Sequence, residues 1–229
     1  MDKEPARLEF FYIRHAHTAQ APIERHRFDV ELSELGEQQV ELLGQRFEGA
    51  TFDAIFCSPM VRCVRTAAGL CRHLAGMPTI EIMPELVECG ANPGKVCPDG
   101  RPGFYRQSME YLKQYYPNLV LCEDRVFGDV DGSFYNQTEE QNDLRAIAII
   151  HYLRSRFTYG QRIVVVAHGA FGGHFIPWAV GRNTDNLRIS LNNTSVSKIK
   201  YTDDGVERIS FTNDFSHLRP LQPDYEFTV

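Results

Sequence analysis

Apolar positions along this chain follow two alternating rhythms. Leu8 to Ile13 is a short run of branched and aromatic residues and reads as a strand. Ser33 to about Phe47 sets Leu35, Gln39/Val40, Leu43 and Phe47 on one stripe, which predicts a helix N-capped by Ser33. The run "FDAIFCS" predicts a second strand. Ser58-Pro59 then supplies a cap and a first-turn proline for a helix reaching about Leu74. Thr79 to Ile82 reads as a short strand. From Gly90 to Gln137 the pattern weakens, and only "FYRQSMEYLKQYY" keeps helical spacing. Thr138 to about Phe157 predicts a helix, Ile163 to Val166 a strand, and Gly169 to Val180 a helix interrupted at Pro177 and closed by Gly181. Ser195 to Tyr201 and Glu207 to Phe211 predict a last pair of strands joined through Asp203-Asp204-Gly205.

Strands that alternate with helices imply βαβ units, hence an α/β fold with a mostly parallel central sheet and helices on both faces. The continuous apolar runs "EFFYI" and "IVVV" suit strands buried on both sides. Ligands of such sheets bind beyond the carboxyl ends of the strands. Two unusual segments fall there: Leu8 to Ile13 runs into Arg14-His15-Ala16-His17-Thr18, and "RIVVVA" runs into His168-Gly169. If the two strands are neighbours, the histidines converge and the chain is a single domain.

Composition narrows the function. With 43% hydrophobic and 24% charged residues the chain resembles an ordinary globular protein, and its net charge of -6 argues against a nucleic-acid or anionic-membrane binder. No apolar run approaches the roughly 20 residues that span a bilayer, and "MDKEPARLEF" lacks the apolar core of a secretion signal. The 6 cysteines are scattered without a C-x-x-C pair, which fits a reducing, cytoplasmic setting. The glycosylation patterns at Asn136, Asn192 and Asn193 therefore carry no weight.

Arg14, His15, His168 and Arg62, in the first turn of the helix after Ser58, suggest one chemistry. Guanidinium forks match phosphate oxygens and stay charged. An imidazole between them is kept neutral and can attack an electrophile. An anionic substrate would relieve the mutual repulsion of these cations. The expected site is a phosphoryl pocket with a histidine nucleophile.

These segments resemble the histidine phosphatase superfamily, the phosphoglycerate-mutase-like proteins. "RHAHT" is similar to the family's Arg-His-Gly signature, "ELSELGEQQ" to the opening of its first helix, and "CSPMVRCVRTA" to the segment of its second phosphate-binding arginine. "PELVECG" resembles the region of the acid, "VVVAHGAF" that of the second histidine, and "NNTSVSKIKYTDDG" with "NDFSHL" the C-terminal segment. The resemblance implies one histidine-phosphatase domain over residues 1–229, with a variable segment of about 90–137 over the active site. It implies His15 as nucleophile, Arg14, Arg62 and His168 as ligands of the phosphoryl oxygens, and Glu88 as general acid. Glu85, three residues earlier, competes for that last role. Thr18 and Gly169 join the substrate-binding set, with no metal and no cofactor. The implied substrate is a phosphorylated small molecule or a phosphoprotein.

Departures from the family pattern are Ala16 for the usual Gly, His17 for Glu or Gln, Ala21 for a substrate-contacting Asn of the mutases, and Arg65 for Gln or Glu. "RCVRTA" and the long middle segment look most like the Sts-type protein phosphatases and their relatives that cleave ecdysteroid phosphates. His17 fits a pocket wall or a solvated loop. Arg65, one turn after Arg62, more simply faces water, and Arg101, Arg106 and Arg125 read as surface charges. Three rivals remain: a metal hydrolase using His15 and His17, a catalytically weak phosphate-binding adaptor, and a mutase. Arg14 is a poor neighbour for a metal, and every reactive position of the family is filled.

Overall fold

The computed structural model describes residues 6–19, 30–89, 108–123, 126, 137–157, 160–182, 187, 189–202 and 207–221. The chain begins with β1 (Ala6–Arg14), α1 (Glu34–Arg46), β2 (Ala54–Cys57), α2 (Val61–His73) and β3 (Ile80–Ile82). A short 3-10 turn (Pro84–Leu86) precedes α3 (Met109–Lys113) and β4 (Leu119–Leu121). Then come α4 (Glu139–Arg156), β5 (Gln161–Ala167), α5 (Gly169–Trp178), β6 (Val196–Thr202) and β7 (Glu207–Asp214). One 7-stranded sheet takes the order β4-β3-β2-β5-β1-β6-β7. The strands from β4 to β1 run parallel, and β6 and β7 add antiparallel at the β1 edge.

Side-chain alternation along β1 builds a core on each face. Leu8, Phe10 and Tyr12 pack with Ile149 and Leu153 of α4 and with Phe171 and Phe175 of α5. Phe11 and Ile13 join Leu43 of α1 and Val64 and Leu70 of α2 on the other face. Phe10 is fully buried between Phe175 and the edge of Tyr201; truncation to Ala there would cost about 3–5 kcal/mol.

The register decides where the chemistry falls. Arg14 pairs with Ala167, so the next residues, His15 and His168, leave neighbouring strands at the same end. His15 N–H donates to Ala167 O at 2.9 Å, and Ser58 N–H, leaving β2, donates to Val166 O at 3.0 Å.

Three expectations change. Ser58-Pro59 does not start α2, whose cap is Met60 without a side-chain bond; the backbone bond to Val166 holds Ser58 as a continuation of β2. Within "FYRQSMEYLKQYY" the described helix is only Met109–Lys113, because Ser108 Oγ takes the Tyr111 N–H and caps it there. β4 is a strand the sequence pattern does not reveal. Ala21, Arg101, Arg106, Arg125, the Asp203-Asp204-Gly205 turn and most of segment 90–137 lie outside the described residues. Among the described residues no helix is long and apolar enough to cross a membrane.

Candidate active site

The loop after β1 is fixed from several sides. Ala16 is buried beside Leu32 and Val40, and its N–H donates to Thr66 Oγ1 at 3.0 Å. His17 N–H donates to Gln39 Oε1 at 2.8 Å, and its Nδ1 lies 2.7 Å from Ser33 Oγ, the cap of α1. A Cβ on Gly36 would sit 2.1 Å from the His17 carbonyl oxygen, so that approach requires glycine. His17 thus tethers the loop to α1. On the other side, Thr194 adopts φ 54, in the left-handed region, and donates its N–H to Arg14 O at 3.0 Å. Asn193 Nδ2 donates to His15 O at 2.9 Å, which explains why a residue in a glycosylation pattern is buried.

His15 and His168 face each other with ring centroids 5.3 Å apart and planes at 66°. His15 Nδ1 lies 2.8 Å from Ala16 O. A carbonyl can only accept, so Nδ1 carries the hydrogen and Nε2 keeps its lone pair. His168 is fixed the opposite way. Arg62 Nη2, which can only donate, reaches its Nδ1 at 3.2 Å, leaving Nε2–H to donate to Ser58 Oγ at 2.8 Å. Cys63 Sγ packs 3.5 Å from the same Nε2, and Tyr12 Oη donates to His168 O at 2.7 Å. Burial first, then the Arg62 charge, holds both imidazoles well below the usual 6.5. Both rings are neutral.

Arg14 donates through Nη1 to Leu191 O. A Cβ on Gly169 would stand 3.1 Å from Arg14 Nε, a tight contact, so the guanidinium packs closely against the first residue of α5. Glu88 follows the 3-10 turn, and its carboxylate takes the first free amides of α5: Oε1 accepts from Phe171 N–H at 2.8 Å and Oε2 from Ala170 N–H at 3.3 Å. The amides of this helix start therefore hold the carboxylate, two and three residues past His168. Glu85 is buried in the turn, with Oε1 lacking a hydrogen-bond partner among the described residues.

Thr18 sits in an isolated bridge to Leu32. Arg65 pairs with Glu31 at 2.6 Å and Glu37 at 2.5 Å, and stacks over Tyr115, so its charge serves a surface network. Ser58, Cys63 and the buried Arg145 of α4 are site neighbours that the sequence reading missed. A cavity of about 340 Å³ opens beside Gly169 and Ala170, lined also by Cys89, Asn142, His174 and Ser190. Among the described residues no group of His, Cys, Asp and Glu is arranged to hold a metal ion.

The model of the histidine phosphatase superfamily (branch 1) matches residues 10–97 and 107–214. The chain belongs to this superfamily. A relative in Schizosaccharomyces pombe, named as a probable phosphatase, is 27% identical over 238 residues, covering 92% of this chain and 95% of that protein. Among solved structures, the phosphoserine phosphatase of Entamoeba histolytica aligns with TM-score 0.59 at 20% identity, over 92% of this chain and 99% of that one. The ecdysone phosphate phosphatase of Bombyx mori aligns with TM-score 0.65 at 15% identity, over 90% and 93%. The likeness to the solved structures is one of fold, and it agrees with the parallel sheet and the helices on both its faces.

Proposed function

We propose that this protein is a phosphomonoester hydrolase that works through a phosphohistidine on His15. The observation that carries this reading is the pair of opposite tautomers: His15 holds Nε2 unprotonated beside two guanidinium groups, while His168 is locked as a neutral donor. His15 Nε2 attacks phosphorus as the ester P–O bond breaks. Arg14 and Arg62 meet the equatorial oxygens and stabilise their charge, and His168 joins them by turning its one N–H from Ser58 Oγ to the phosphoryl group. Glu88, in its acid form, gives its proton to the leaving oxygen. Its carboxylate then takes a proton from water, whose oxygen attacks phosphorus while the P–N bond breaks and His15 is restored. The arginines supply the positive charge that a metal would bring.

The substrate class is a phosphorylated small molecule or a phosphoprotein, handled by one domain over residues 1–229 with segment 90–137 near the site. Ala21 stands where mutases carry a substrate-contacting Asn, which favours release of phosphate over its return. The test is turnover of 4-nitrophenyl phosphate in the presence of a chelator. Wild type should release phosphate, and His15→Ala should lose nearly all activity while remaining folded. Activity that needs an added divalent ion, or that survives in His15→Ala, would overturn the reading.

A further inference from the structure

The interior of α4 carries a guanidinium at a core position. Arg145 is 0% exposed and heads the fully buried side chains by volume. Moving such a charge out of water costs several kcal/mol unless every donor is well used. Burial pulls its pKa below the ordinary arginine value, and the Cys89 thiol and Glu88 oppose that pull. A leucine or methionine would fill the same space at lower cost.

The donors explain the arginine. Nη1 donates to two backbone carbonyls, Glu85 O at 2.9 Å and Val87 O at 2.8 Å. Nη2 donates to Asn142 Oδ1 at 2.8 Å and to Cys89 Sγ at 3.4 Å. The guanidinium plane lies over the Phe171 ring, 4.3 Å from its centroid. It therefore grips the residue before Glu88, the residue after it, and the side chain of Phe171, whose N–H holds the Glu88 carboxylate at 2.8 Å. The turn after β3, through its carbonyls, and the start of α5, through the Phe171 ring, are joined by the terminal nitrogens and the flat face of one guanidinium.

We propose that Arg145 is the positioning residue for the general acid: it fixes Glu88 against the first turn of α5 without touching substrate. The proposal rests on the reading of Glu88 as the acid. A lysine keeps the charge but cannot bridge these acceptors in one plane, so its effect separates geometry from charge.

The experiment uses the full chain with Arg145→Lys, Asn142→Ala, Glu88→Gln and the double variant Arg145→Lys/Glu88→Gln. Each is assayed for kcat and KM on 4-nitrophenyl phosphate and on ethyl phosphate. An aryl oxide leaves without a proton, whereas an ethoxide does not. Arg145→Lys should lower kcat on ethyl phosphate by roughly 10- to 100-fold, the cost of a misplaced catalytic group, with KM little changed. On the aryl ester the loss should be about threefold or less. In the Glu88→Gln background the added loss on ethyl phosphate should vanish. Asn142→Ala, which frees one side of the guanidinium, should show a weaker form of the same selectivity and covers the case in which Arg145→Lys does not fold. Equal losses on both esters, or losses that simply multiply with Glu88→Gln, would make Arg145 a structural residue and overturn the proposal. If Glu88→Gln itself fails to distinguish the esters, the general-acid reading falls instead.

Discussion

Arg62 Nη2 lies 3.2 Å from Nδ1 of His168, and this single donor decides which nitrogen of the ring carries the proton. The Nε2–H on the other side is left to Ser58 Oγ at 2.8 Å. The second histidine is thus neutral before substrate arrives, with its one N–H given to Ser58, a bond it must release to donate to a phosphoryl oxygen.

Ser58→Ala tests that arrangement. It strips a buried N–H of its acceptor, which costs about 1–3 kcal/mol of stability and roughly 2–4 °C in Tm per kcal/mol for a chain of this size. The tautomer is less firmly held, so kcat/KM should fall by about tenfold while His15 is still phosphorylated. Thermal melts and steady-state assays with one aryl ester check both. An unchanged kcat/KM would show that Arg62 alone sets the ring.

The pH dependence has a definite sign. His15 and His168 are held well below the ordinary 6.5, and burial with the Arg46 charge pulls His217 down to about 4. A histidine whose folded pKa is depressed binds fewer protons folded than unfolded as pH drops through 6.5. Its contribution to stability is therefore whole above that value and lost as pH falls toward the folded pKa. Tm should decline from about pH 6.5 downward, and His217→Gln should flatten part of that decline. Since the nucleophile must be neutral, the acid limb of kcat/KM attributable to His15 should lie below pH 6.5. A limb centred at or above that value would contradict the neutral site.

Gly169→Ala probes the seat of Arg14. The added methyl would stand 3.1 Å from Nε, so the guanidinium must give by a few tenths of an ångström. Competitive inhibition by inorganic phosphate should weaken by about tenfold, roughly 1.4 kcal/mol, with a similar rise in KM. Unaltered phosphate affinity would mean that Arg14 does not meet the phosphoryl group.

Much of this was legible in the sequence because β1 and β5 are short, apolar and abruptly ended. Arg14-His15 and His168 break those runs at positions where a core has no place for them, and parallel pairing made their meeting a direct consequence. Other features carried no readable signal. Val120 of the three-residue β4 is 44% exposed at the sheet edge, so no periodicity marks that strand. Ser58-Pro59 has the letters of a helix start, but the backbone bond to Val166 keeps Ser58 extended and turns its hydroxyl to His168. Arg145 lies in "EEQNDLRAIAII", where a charge reads as one more solvated position on a helix. Only the carbonyls of Glu85 and Val87, brought in from another part of the chain, make it a core residue. His17, which the sequence leaves between pocket wall and loop, is claimed by Ser33, and Arg65, read as facing water, pairs with Glu31 and Glu37.

The covalent intermediate is the most direct test of the account. Wild-type protein is mixed with an aryl phosphate, quenched in alkali within the first turnover, digested under alkaline conditions and mapped by mass spectrometry. The account predicts base-stable, acid-labile phosphate on the peptide that carries Arg14-His15-Ala16-His17, located at His15, and none on the same peptide from His15→Ala. Phosphate on His168, His17 or any other residue, or turnover with no phosphorylated protein at any quench time, would contradict it.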